Sequence, residues 1–140
     1  MIQKSGSGAI VKSLLLNAAT ITERLDNSLG AIHGICFNEY MVLLSLTNGE
    51  NQMLRQIDLA KALSTSGFKL ARLLKPMEKT GLVFKDINES DIRMSLIKIT
   101  AAGEELFNNA CVIVDTQAQI ILKNLDKENQ DKLLSLSRMI

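Results

Sequence analysis

Seven residues between Ser66 and Lys79 have the types and spacing to hold a polyanion. Ser66 can cap a helix that starts at Gly67, and the free amides of Gly67 and Phe68 at such a helix N-terminus favour a phosphate. Lys69, Arg72, Lys75 and Lys79 follow along the same helix, with Lys69, Arg72 and Lys79 predicted to share much of one face. Further on, Lys85 and Arg93 lie in a stretch of alternating apolar residues, and Asp91 stands where it can hold the Arg93 guanidinium. Lys85 and Lys98 read as phosphate contacts or plain surface. The bland alternative for each of these cations is a solvated face.

Other reactive types are sparse. His33 and Cys36 stand three residues apart with no further ligand nearby, so no metal site is expected. Cys36 and Cys111 make no disulfide framework, and Cys111 falls in an apolar seam where a buried, inert thiol is the usual outcome. Gly6-Ser7-Gly8 is not followed by the glycine that a dinucleotide loop or P-loop needs, and the single histidine has no nucleophile beside it. No enzyme and no cofactor is expected.

The elements that must position the cations are legible in the apolar spacing. Residues 1–8 read as a flexible tail. Ile10, Leu14, Ala18, Ile21, Leu25 and Leu29 then form one helical stripe, Gly30 and Gly34 punctuate it, and Asn38 is the expected cap of a second helix to about Leu46. Ile57–Leu63 is a short helix, Ser64-Thr65-Ser66-Gly67 breaks it, and a second helix over 67–79 ends at Gly81, which together make a helix-turn-helix. The period then drops to two over Leu82–Ile87 and Arg93–Ile99, around the turn Asn88-Glu89-Ser90-Asp91. Thr100 caps a last long helix with its seam at Phe107, Cys111, Val114, Ala118, Ile121 and Leu125, and Asp126 restarts a terminal helix.

The 140 residues suit one domain, 46% hydrophobic but only 4% aromatic, so the core must be aliphatic. No apolar run approaches the ~18 residues of a membrane span, and a cytoplasmic setting is the simplest expectation. The net charge of +1 hides a segregation: Arg55 to Lys98 holds nine Lys/Arg against five Asp/Glu, so an anionic partner is expected for the middle only.

Leu59-Ala60, Arg72-Leu73, the Glu78…Gly81-Leu82-Val83 close, Asp91-x-Arg93 and the Thr100-x-x-Gly103 step occur in an order and spacing that resembles the MarR family of winged-helix transcription regulators. The resemblance covers Ile57 to Gly103, about a third of the chain. It implies a mainly α fold with a small β-hairpin wing, a winged helix-turn-helix over 35–99, and dimerisation through helices in 9–34 and 100–140. It also implies a homodimer on double-stranded DNA, with recognition helix 67–79 in the major groove and wing 84–98 in the minor groove of a pseudo-palindromic operator. The DNA-binding residues would be Ser66, Gly67, Phe68, Lys69, Arg72, Lys75, Lys79, Lys85 and Arg93, with Asp91 supporting the wing. The sequence departs from the family's pattern at Ile92, where a second arginine is frequent, and at Phe68 and Ala71, where small hydroxyl residues are common.

A repressor is the function this implies, with a small-molecule effector as a variant. Asn17, His33, Phe37 and Tyr40 could border an effector cavity, with ordinary packing the slightly favoured reading. The alternative from another class is a winged-helix module that binds protein and not DNA.

Overall fold

The first helix begins inside the segment read as a tail. The computed structural model describes residues 6–140, and residues 1–5 of that tail lie outside the described residues. Helix α1 (Ser7–His33) runs through Gly30 and stops at Gly34, whose φ of 68° is the left-handed conformation that closes a helix. Helix α2 (Phe37–Thr47) is capped at Cys36, not at Asn38. The cap is tertiary: Asp26 of α1 accepts the Phe37 N–H at 2.7 Å, while Glu39 accepts the Cys36 N–H at 2.9 Å.

After α2 the chain forms a strand that the sequence did not announce, β1 (Met53–Arg55). The approach to it needs left-handed backbone at Asn51 and Gln52. Helix α3 (Gln56–Ala62) and helix α4 (Gly67–Lys79) follow as the expected helix-turn-helix. The hairpin is β2 (Val83–Asp86) and β3 (Leu96–Ile99), antiparallel with Val83 opposite Ile99 and Asp86 opposite Leu96. β1 adds to the other edge of β3, Leu54 opposite Ile97, so the sheet order is β1-β3-β2. Arg93 is therefore not in a strand: a 3-10 turn over Ile92–Met94 takes the place of the expected strand start. Helix α5 (Ala101–Ile121) ends before Leu125, and helix α6 (Lys127–Ser137) is capped by Asp126 as expected.

α2 is the hub, packed on α1 and α5, on α3 and α4, and on the sheet. Its Val42, Leu43 and Leu46 are fully buried with Leu29, Leu59, Leu70 and Ile97 in one core. An aliphatic core of this kind is what the scarcity of aromatics required. The outer parts of the chain behave differently. Of the α1 stripe only Leu25 and Leu29 are buried, while Ile10 and Leu14 stay exposed, and α6 buries no residue at all. Among the described residues no single helix is long and apolar enough to cross a membrane.

The wing sheet meets α5 through a small knot. Thr100 caps α5 by accepting the Gly103 N–H at 3.0 Å, and its hydroxyl also donates to the Gly81 carbonyl at 2.6 Å. Gly103 is itself buried, and a Cβ there would overlap the Leu82 carbonyl and press on Ile99. Gly103→Ala should therefore destabilise the fold by about 1–3 kcal/mol, the cost of overpacking a fixed backbone contact, read as a lowered urea midpoint with unchanged slope.

Candidate nucleic-acid interface

Two rows of side chains divide α4. Leu70, Leu74 and Met77 are buried against the core, and the opposite row, Phe68, Arg72, Lys75 and Lys79 at steps of four, three and four, faces solvent. Ser66 caps the helix by accepting the Lys69 N–H at 3.2 Å, leaving earlier amides free at its N-terminus. At about 100° per residue Lys69, Arg72 and Lys79 span about 80° of the helix, and Lys75 extends that face on the side away from Lys69. Lys69, exposed at the edge of that face, also lines, with Phe37, Met41, Leu63 and Leu73, a cavity of about 510 Å³ between α2 and the helix-turn-helix. Among the described residues, no carboxylate forms an ion pair with Arg72, Lys75 or Lys79. Instead the Arg72 guanidinium lies over the Phe68 ring, 5.8 Å from its centroid.

The hairpin tip is built by short polar contacts. Asp91 takes the Arg93 guanidinium in a two-point pair, 3.1 Å to Nε and 3.0 Å to Nη2, and also accepts the Arg93 backbone N–H. The hydrogen bonds from Arg93 hold the Asp91 carboxyl below the usual carboxylate range and raise the guanidinium in turn. The charged pair is thus complete above the ordinary carboxylate range and is lost as pH falls through the lowered value. Asn88 accepts the Ser90 and Asp91 N–H groups, forming the turn expected there. Lys85 is half-buried opposite Ile97, and Lys98 is exposed on the other sheet face.

Two supporting contacts escaped the sequence reading, those of Ser95 and the pairing of Arg55 with Asp58. Ser95 is fully buried; its hydroxyl accepts the Asn88 N–H at 2.9 Å and its carbonyl accepts the Gln56 N–H at 2.8 Å, so it ties the hairpin tip to the start of α3. Arg55 and Asp58 pair at 2.7 Å across the first turn of α3, which lacks a side-chain cap. A serine between two apolar runs looks like a solvent-facing interruption, so only pairing to α3 reveals its role.

In a single copy the four residues suggested for an effector cavity occupy different surroundings. Tyr40 is buried, with its ring 5.8 Å from that of Phe37 and 5.3 Å from that of Phe107, and its hydroxyl lies 3.5 Å from Cys111 Sγ. Burial, and then the contact with Cys111, push the Tyr40 phenol well above its ordinary value, so it stays neutral. Phe37 lines the cavity beside Lys69, Asn17 lines a separate one of about 540 Å³ between α1 and the ends of α5 and α6, and His33 sits half-buried at the end of α1. Burial also raises the Cys36 thiol, which keeps it protonated and weakly nucleophilic.

Ser95→Ala should remove the bond that holds Asn88 and cost about 0.5–1.5 kcal/mol, the net worth of one hydrogen bond to an exposed amide. Amide exchange across 87–95 should accelerate while the α4 amides keep their protection; an unchanged wing would show that Ser95 anchors nothing.

No protein-family profile matches the sequence. The fold nevertheless superposes on solved regulators. A MarR family transcriptional regulator from Streptomyces coelicolor, Sco3205, in complex with DNA, aligns with a TM-score of 0.83 at 21% identity, over 99% of this chain and 89% of that one. A mutant MarR from E. coli, complexed with operator DNA, gives 0.81 at 22% identity over 94% and 92% of the two chains. AbsC, another MarR family regulator from Streptomyces coelicolor, gives 0.79 at 23% identity over 95% and 90%. With its helix-turn-helix, its three-stranded wing sheet and the long helices on either side, the chain has the winged-helix fold of the MarR family transcriptional regulators.

Proposed function

We propose that this protein is a homodimeric, sequence-specific DNA-binding transcription regulator of the MarR type, acting as a repressor at a pseudo-palindromic operator. The observation that carries the reading is the solvent row of α4. Among the described residues three cations stand there without carboxylate partners, on the second helix of a helix-turn-helix, behind a serine-capped N-terminus. Similar chains have been solved on DNA, which supports placing α4 in the major groove and the Arg93 turn against the minor groove. Ser66 and the amides of Gly67 and Phe68 would take a backbone phosphate, as would Lys69, Lys75, Lys79 and Lys85, while Arg72 would read a base edge.

Dimerisation accounts for the exposed ends of the chain. Ile10, Val11, Leu14, Leu15 and Leu16 on α1, and Leu133, Leu134 and Leu136 on α6, are exposed in a single copy. A second copy burying them by a two-fold contact would recover about 1.5–3 kcal/mol for each side chain fully covered and would set two α4 helices on one face. An effector that changes the separation of the two lobes would shift operator affinity through the populations it favours.

A second reading, a winged-helix module that binds protein, is favoured by the wing. Residues 84–98 carry three cations against three acids, and Phe84, Ile87 and Ile92 are exposed there. Titration against duplex DNA from upstream of its own gene and against scrambled DNA, at several salt concentrations, separates the two. The regulator should prefer its operator by ~10³-fold or more, with affinity falling steeply in salt. Arg72→Ala should relax sequence preference, whereas Lys85→Ala should weaken all duplexes alike and reduce the salt slope by about one. Absence of binding at low salt would favour the protein-binding module. Ile10→Asp with Leu14→Asp should yield a folded monomer in sedimentation equilibrium that has lost most operator affinity.

A further inference from the structure

We propose that Phe68 and Arg72 act as one reader of a two-base step, a guanine beside a pyrimidine that carries a C5 methyl group. The inference rests on the DNA-binding reading and deepens it. Phe68 is 73% exposed in the first turn of α4, so its ring contributes little to the core, yet it heads a row whose other members are all cations. An aromatic ring held in water at that place is unexplained by folding. The first turn of such a helix is the part that meets base edges when it lies in a major groove.

The geometry of the pair supplies the recognition. The guanidinium lies over the ring, 5.8 Å from its centroid, a contact with the π face that leaves its N–H donors free. Among the described residues no acidic side chain forms an ion pair with Arg72. A fork of free donors in the major groove is matched best by guanine O6 and N7. A phenyl ring has no donor or acceptor, so it can discriminate only an apolar feature, and on the major-groove edges that feature is the C5 methyl. Successive bases on a strand rise by about 3.4 Å, which brings the neighbouring base pair within reach of a ring 5.8 Å from the guanidinium. Thymine and 5-methylcytosine present the same methyl, and both satisfy this chemistry.

The experiment starts with selection of duplex sites from a random pool by the full-length protein, followed by affinity measurements on the selected site. Each thymine next to the guanine whose preference is lost in Arg72→Ala is replaced by deoxyuridine, which removes only the methyl. Affinity should fall by about fourfold per half-site, and by about 16-fold when both half-sites are changed, the value of one buried carbon. In a parallel arm that position carries cytosine or 5-methylcytosine; a fourfold gain from methylation would show that the methyl itself is read, and no gain alongside a uridine loss would restrict the reader to thymine. Phe68→Ala, checked for folding by circular dichroism, should bind with an unchanged salt slope and lose sensitivity to the methyl in both arms, while Phe68→Leu should keep it. Salt-dependent DNA binding without any methyl effect, or a methyl effect that survives in Phe68→Ala, overturns this proposal alone. No binding to any duplex at low salt overturns the DNA reading and this proposal with it.

Discussion

The orientation of the wing sheet depends on a backbone contact with room for a hydrogen atom and nothing larger. Gly103, in the first turn of α5, lies directly against the Leu82 carbonyl, where any Cβ would collide. Thr100 closes the contact from the side, with its hydroxyl shared between the Gly103 N–H and the carbonyl of Gly81. One residue thus caps α5 and binds the end of α4 to the end of β3. Because the interior is close-packed, a shift at this point would be transmitted to both the hairpin and the helix-turn-helix. The wing and α4 are held as a single rigid presentation.

Within that frame, α4 separates stability from recognition by periodicity alone. Its buried row is wholly apolar and ties it to α2, α3 and β2, while its outer row is cationic apart from one ring. Substitutions on the outer row therefore change the surface with little cost to the core. The same division fails at the wing, where polar groups do structural work. Ser95 is buried to hold Asn88 and Gln56, and Asp91 spends its charge on Arg93. A guanidinium already paired is presented in a defined direction but with part of its charge cancelled, so the wing contributes shape as much as charge to the proposed interface.

The exposed leucines at the two ends of the chain are the counterpart of the tight centre. The core is complete without the first half of α1 or any of α6. Apolar rows that the core does not need remain available for a second copy, and the proposed dimer gives them a use without asking anything further of the winged-helix region.

How much of this was legible in the sequence follows from how local each signal is. The bounds of α4, its Ser66 cap, the closing turn at Gly81 with φ 79° and the Thr100 cap are all determined within four residues, and the sequence located each of them. β1 was invisible because three residues carry no period and become a strand only by pairing with β3. The start of α2 was misplaced because Cys36, a residue type with little capping preference, holds the cap with the help of Asp26, eleven residues before Phe37 and on another helix. The sequence by itself determined the elements and their chemistry, since turns, caps and apolar periods act over one helical turn. Only the tertiary structure decided which polar groups are buried and paired, because a partner distant in the chain is chosen by packing and leaves no periodic trace.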